Sequence, residues 1–338
     1  MEHYLGKTIL VTGGQGFVGC WLVERLLELG ARVVVLGRDA HPRSRFRVEG
    51  IEERCHAVHA DVTDLDGVLR ILTEYDVWAV FHLAAQAIVG VANRSPLSTL
   101  ESNVRGTYTV LEACRARQAP AGPVERIVVA SSDHAYGPHA GAFREDLALE
   151  PRYPYDVSKG CADMIARSYA FTYDMPVAVT RLANIYGGGD LNWSRIVPDC
   201  ARALVLERRP VIRSDGTPVR DYLYVEDAVD AYLAVAESLD APKFRGRAWN
   251  AGPDEPSSVL ELVRRLIAAS GKDVEPEIRG RGTPPGEIQR LSLDSTSIRH
   301  ELGWWPKWSL DDGLRATYAW YEEALGSTAL KPARSDAA

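Results

Sequence analysis

The chain has 338 residues, 46% of them hydrophobic and 25% charged, with 39 basic against 46 acidic side chains and a net charge of −7. These are globular proportions and exclude a disordered chain. The acidic balance argues against a nucleic-acid or anionic-membrane partner, which favours a basic excess. No apolar run reaches the roughly 18–20 residues that cross a bilayer. The segment Met1–Lys7 lacks the basic start and apolar core of a signal peptide. Five singly scattered cysteines (Cys20, Cys55, Cys114, Cys161 and Cys200) fit a reduced, cytoplasmic protein.

In chain order, strands are expected at Thr8–Thr12, Arg32–Leu36, His56–Ala60, Ala79–Leu83, Arg126–Ser131 and Val177–Leu182. They are rich in Val, Ile and Ala without strict polar alternation, as in strands covered on both faces. Helical periodicity falls between them at Phe17–Leu29, Leu65–Glu74, Leu97–Ala116 and Tyr155–Tyr173. This alternation predicts an α/β fold, a doubly wound parallel sheet of Rossmann type over residues 1–187. Beyond Gly187 the prolines multiply, and helices are expected at Arg195–Leu206, Val225–Leu239, Ser257–Ala269 and Leu310–Leu325. Residues 188–325 read as a smaller substrate-binding lobe, some segments of which return to the sheet, and 326–338 as a flexible tail.

The first strand runs into Thr12-Gly13-Gly14-Gln15-Gly16-Phe17-Val18-Gly19. Gly13 and Gly14 permit the tight turn, Gly16 lets the backbone approach a pyrophosphate, and Gly19 allows close helix packing. Phe17 and Val18 open the helix whose N-terminus attracts the anion. An acid ending the second strand would bind the adenosine ribose, whereas a small residue followed by Arg suits a 2′-phosphate. The sequence there is Gly37-Arg38-Asp39, which favours NADP, although Asp39 in a shifted register leaves NAD open. Asp61 and Val62, after the third strand, are expected beside the adenine.

Tyr155 and Lys159 lie at i and i+4 on one helix face. A nearby ammonium lowers a phenol's pKa, so Tyr155 could exchange a proton with a sugar hydroxyl near neutral pH. Ser131 and Ser132 end the preceding strand and supply hydroxyls.

The chain resembles the extended short-chain dehydrogenase/reductases that modify nucleotide sugars, over about residues 5–325. The resemblance rests on Thr12–Gly19, Phe81–Gln86, Ser131–Gly137, Tyr155–Lys159, Arg181–Gly187, Arg220-Asp221-Tyr222 with Val225-Glu226-Asp227, and Leu302-Gly303-Trp304. Within the family it is most similar to nucleotide-sugar 4,6-dehydratases of the CDP-glucose and GDP-sugar types, through Tyr155–Asp163, Gly187–Asp190, Arg195–Asp199 and Pro210–Arg213.

The resemblance implies that Leu83, Ala84 and Ala85 line the cofactor and that Gln86 meets substrate. It also implies that Ser132 hydrogen-bonds the sugar 4-hydroxyl. Such dehydratases carry an adjacent acid and base after the strand-end hydroxyl, as Asp-Glu or Asp-Lys. Here the pair reads Asp133-His134, and imidazole is a competent base near neutral pH. Four-epimerases have small residues there, so a 4-epimerase is the alternative function. Arg195, Arg202, Arg208, Arg209, Arg213 and Arg220 form a cationic stretch suited to a diphosphate. Of these Arg195, Arg213 and Arg220, with Asn184 and Arg281, are the substrate-binding candidates. No histidine spacing suggests a metal. Trp304, Trp305 and Trp308 read as packing. The family resemblance implies a homodimer formed by the helices Leu97–Ala116 and Tyr155–Tyr173 and their copies.

Overall fold

The computed structural model describes residues 3–39, 41–117, 122–282 and 288–326. Seven parallel strands form one sheet: β1 (Thr8–Thr12), β2 (Arg32–Gly37), β3 (His56–His59), β4 (Ala79–His82), β5 (Arg126–Ala130), β6 (Val177–Leu182) and β7 (Ala248–Ala251). Their spatial order is β7-β6-β5-β4-β1-β2-β3. The chain winds outward from β1 to β3, then restarts at β4 on the other side of β1. That reversal opens a crevice beyond the C-terminal ends of β1 and β4.

Side chains alternate across the sheet into two cores. Leu10, Val34, Val80, Ile127 and Val179 point into one, and Ile9, Val11, Val35, Phe81 and Val128 into the other. Both faces are therefore apolar, which explains the lack of polar alternation in the sequence. The covering helices include α1 (Phe17–Glu28), α2 (Leu65–Glu74), α3 (Gly106–Ala116) and α4 (Pro154–Tyr173). Asp64 caps α2 by accepting a bond from Gly67 N at 3.1 Å.

One helix differs from expectation. Leu97–Ala116 is not uniform: an α-helical turn over Pro96–Leu100 passes through a π-helical turn, Glu101–Arg105, into α3. Such wide turns recur at functional sites, and this one carries the buried Asn103.

A third core belongs to the C-terminal part. It joins α5 (Ile196–Val205), α7 (Val259–Ser270) and α8 (Leu310–Gly326) through Val197, Cys200, Leu262, Leu266, Leu314 and Tyr321. Between α5 and α7, α6 (Val225–Ser238) packs instead on the sheet. Short pairs complete this region, Asn184–Tyr186 with Tyr222–Tyr224 and Val211–Ile212 with Glu277–Ile278. The strand expectation missed β7, which lies beyond the proline-rich change in pattern yet returns to the edge of the main sheet beside β6. Trp304 is buried and donates to Asp227 O at 3.2 Å, and the Trp308 ring lies 4.4 Å from that of Tyr224. Gly326 ends α8 rather than beginning a tail; residues 327–338 lie outside the described residues.

Candidate active site

The glycine turn after β1 is dictated by space. Gly13 has φ +73°, and a Cβ there would sit 2.8 Å from backbone atoms of Ala84. A Cβ on Gly19 would lie 2.2 Å from Gly13 O, so only glycine lets α1 start this close to the strand. Gly16 is exposed and caps α1, presenting the helix N-terminus to the crevice. Phe17 and Val18 follow, half-buried. The cradle fits a dinucleotide pyrophosphate.

A buried hydrogen-bond chain ties this turn to α4. Ala84 N donates to Thr12 Oγ1 at 3.2 Å, and Thr12 meets His82 Nδ1 at 2.8 Å. His82 Nε2 meets Thr107 Oγ1 at 3.1 Å, and that hydroxyl donates to Asn103 O at 2.6 Å. Since Thr107 spends its proton on Asn103, His82 must donate from Nε2 and accept at Nδ1. Burial holds this imidazole neutral, pushing it down to about 3. The Asn103 side chain then accepts from Gln86 N at 2.7 Å and donates to Gln86 O at 3.1 Å and Ser158 Oγ at 2.8 Å. Asn103 thereby fixes the loop after β4, which carries Leu83, Ala84 and Ala85, against α4.

On α4, Tyr155 and Lys159 are both buried. Lys159 Nζ donates to Ala130 O at 2.8 Å at the end of β5. Burial brings the Lys159 ammonium down to about 8. The expected lowering of Tyr155 is absent: burial pushes this phenol up to about 12, against the opposing effects of Arg195 and a hydrogen bond with Ser132.

Ser132, Asp133 and His134 enter a 3-10 turn (Asp133–Tyr136) directly after β5. Asp133 Oδ1 accepts from Ser132 Oγ and His134 N, both at 2.9 Å. Its Oδ2 is buried and accepts nothing among the described residues. Burial raises this carboxyl, opposed by His134, Ser132 and Arg220. His134 Nδ1 bonds Asp156 Oδ1 at 2.9 Å, and its ring stands edge-on to Tyr155 at 5.6 Å. Desolvation depresses the imidazole, but the Asp156 hydrogen bond with the Asp133 and Asp156 charges wins, and its pKa lies above the ordinary value. The side chain is 19% exposed while that of Asp156 is 3% exposed, so the bond itself is withdrawn from solvent.

Asp156 was not singled out from the sequence. An acid in the first turn of α4 reads as a complement to the helix dipole, and its partner is 22 residues away. The turn is braced from behind by Arg181, fully buried, which binds Asp163 with two donors at 2.8 and 2.9 Å and donates to Tyr136 Oη at 2.8 Å.

The other candidates divide into two groups. Asn184 points a buried Nδ2 without a partner among the described residues. Arg195 pairs with Asp190 at 3.1 Å and acts on Tyr155, and Arg220 acts on Asp133 and His134. Arg202, Arg208, Arg209, Arg213 and Arg279 line a cavity of about 480 Å³ with Asp199 as its one acid. Gln86 turns its Oε1 onto Ile88 N at 2.9 Å, and Arg281 is exposed and does not line that cavity. Arg38 reaches Asp39 at 3.0 Å and Asp61 at 3.4 Å, with Val62 buried beside Asp61.

A glycine cradle at the sheet's reversal point, with a hydroxyl, a phenol and an ammonium converging beyond it, is the construction of a dinucleotide-dependent enzyme that works on an alcohol or ketone carbon. The chain belongs to the NAD dependent epimerase/dehydratase family, whose profile matches residues 9–252. It is 29% identical over 337 residues to a CDP-glucose 4,6-dehydratase of Salmonella typhimurium, covering 95% of this chain and 92% of that one. It is 32% identical over 318 residues to a UDP-glucose 4-epimerase of Mycolicibacterium smegmatis, covering 92% and 97%. A dTDP-glucose 4,6-dehydratase of Streptomyces venezuelae, solved with NAD bound, superimposes with a TM-score of 0.83 at 30% identity, covering 94% and 98%.

Proposed function

We propose that this chain is a nucleotide-sugar 4,6-dehydratase, converting a nucleoside-diphosphate hexose to its 4-keto-6-deoxy product. The observation that carries this reading is the Asp133–His134 pair. Removing water across C5 and C6 needs an acid at O6 and a base at the C5 proton. Asp133 offers a buried, unpartnered Oδ2 on a carboxyl whose raised pKa favours the protonated form. His134 has its Nδ1 committed to Asp156, which leaves Nε2 as the basic atom. A 4-epimerase needs neither group.

The bound dinucleotide supplies the hydride acceptor and donor, and its cationic ring favours the Tyr155 phenolate. Tyr155 Oη takes the 4-hydroxyl proton while Ser132 Oγ orients that hydroxyl. Lys159 holds the nicotinamide ribose. His134 Nε2 removes the C5 proton that the 4-ketone has acidified, and Asp133 Oδ2 protonates the departing O6. Water leaves, His134 Nε2 can return a solvent-exchanged proton to C5, and C6 would take back the hydride from a bound dinucleotide. Gly13, Gly16, Phe17, Val18 and Gly19 would hold the pyrophosphate, Leu83, Ala84 and Ala85 would line the nicotinamide site, and Asp61 and Val62 would meet the adenine. Arg195, Arg220 and Asn184, on the catalytic side, and Arg213, in the arginine-lined cavity, would receive the nucleoside diphosphate.

For the cofactor, the Arg38 guanidinium faces two carboxylates, Asp39 and Asp61. That leaves little positive charge for a 2′-phosphate, and the reading is NAD rather than the NADP that Arg38 suggests in sequence. The five cysteines are unpaired, which suits a cytoplasmic setting, and among the described residues no helix is long and apolar enough to cross a membrane. The division near residue 187 separates cofactor-binding from mainly substrate-binding segments, with β7 crossing back. Leu97, Tyr108, Met164, Phe171 and Tyr173 expose apolar side chains on Pro96–Leu100, α3 and α4, a surface suited to a four-helix homodimer.

The test is incubation with CDP-, GDP-, UDP- and dTDP-hexoses followed by mass spectrometry. Loss of one water from one of them is the expected result; no mass loss from any contradicts the reading.

A further inference from the structure

In a dinucleotide fold the residue ending β2 sets the contact with the adenosine ribose. Here that residue is Gly37, and the volume its side chain would fill is already taken. A Cβ built on Gly37 would lie 2.3 Å from Oε1 and 2.5 Å from Cδ of Gln15. Gln15 stands in the phosphate-binding turn between Gly13 and Gly16, so its carboxamide reaches from that turn across to the end of the neighbouring strand. Gly37 is outside the left-handed region. Its backbone therefore does not demand glycine; the carboxamide, the end of a flexible side chain, fills the space that a side chain at residue 37 would otherwise take.

The Gln15 Oε1 is buried and accepts no hydrogen bond among the described residues. A buried acceptor left unmet is unfavourable, and such atoms in native proteins call for a ligand or water to satisfy them. This one sits at the strand end where a dinucleotide's ribose hydroxyls are received. An amide oxygen accepts from a hydroxyl proton as a carboxylate does, without the charge. A 2′-phosphate is largely doubly ionised at neutral pH. It would meet this acceptor oxygen together with Asp39 and Asp61, of which Arg38 offsets one.

We infer that Gln15 stands in for the missing acid of β2, accepting the adenosine ribose hydroxyl and selecting NAD over NADP. The inference rests on the reading that this chain binds a nicotinamide dinucleotide, and it gives a residue of the glycine turn a share of the selectivity beside Asp39 and Asp61.

The test is calorimetric titration of the full chain, without sugar, using NAD and NADP against wild type, Gln15→Ala and the double variant Gln15→Ala/Gly37→Asp. Wild type is expected to bind NAD more tightly. Gln15→Ala loses ~10-fold in NAD affinity, as for one hydrogen bond to a ligand, with NADP affinity nearly unchanged. In the double variant the vacated volume admits the aspartate, and NAD affinity returns to within ~3-fold of wild type. Unchanged NAD affinity in Gln15→Ala, or no recovery in the double variant, overturns the assignment of Gln15. Tighter NADP than NAD binding by the wild type would instead overturn the cofactor reading and the selectivity with it.

Discussion

His134 Nδ1 and Asp156 Oδ1 lie 2.9 Å apart, joining the turn after β5 to the first turn of α4. In the neutral ring the bond keeps the proton on Nδ1 and leaves Nε2 free to accept one, and it raises the pKa of the ring. A base works in its neutral form, so activity rises with pH as His134 loses its proton. That limb should lie above the ordinary imidazole value of about 6.5. Asp156→Asn removes the charge that raises it, so the limb moves to lower pH. The kcat should fall about 10- to 100-fold, because the tautomer is no longer enforced, with little change in KM. A pH–rate profile checks both; an unmoved limb contradicts the pairing.

Asp133→Asn keeps the shape of the carboxyl and removes its proton. Oxidation at C4 should survive while elimination falls by about 10²- to 10⁴-fold, so reduced-nicotinamide absorbance accumulates after substrate is added. Tyr155→Phe should show neither signal. Accumulation in the Tyr155 variant would contradict the division of labour between the two residues.

The stability of the turn rests on charge burial. Arg181 and Asp163 are both fully buried and bound by two hydrogen bonds, and Arg181 also holds Tyr136, the last residue of the turn. Asp163→Ala leaves the guanidinium without its counter-charge and should cost about 3–5 kcal/mol in denaturant unfolding. Loss below about 1 kcal/mol would show that solvent reaches the arginine.

For the dimer, Met164 and Phe171 lie seven residues apart on α4 and are 52% and 69% exposed. Replacing both with Glu should convert a dimer to a monomer in light scattering at micromolar concentration. A wild-type monomer would contradict the four-helix arrangement.

Local chemistry was the legible part of this sequence. The glycine turn, Tyr155 with Lys159, and Asp133-His134 each occupy a few consecutive residues, and each periodic segment except Leu97–Ala116 predicted its strand or helix to within a residue or two. What depended on distant partners was not legible. Asp156 acquires its role from His134, and Asn103 from a π-helical turn that no apolar period announces. Gln15 fills the space that Gly37 leaves, a relation between two segments that the β1–β2 pairing brings together. The phenol of Tyr155 misled for a physical reason: adjacency to Lys159 suggested a lowered pKa, while burial, invisible in sequence, raised it to about 12. Likewise β7 lay beyond the change in composition, since a single edge strand of four residues, Ala248–Ala251, carries little pattern of its own.

The central claim is that Asp133 and His134 carry out an elimination at C5 and C6. Conversion of the accepted nucleotide hexose in heavy water, followed by NMR and mass spectrometry of the product, tests it directly. The account predicts loss of one water, one deuterium at C5, and the hydrogen originally at C4 recovered at C6. A product of unchanged mass, inverted at C4 and free of deuterium at C5, would make the protein a 4-epimerase and the Asp133–His134–Asp156 arrangement structural.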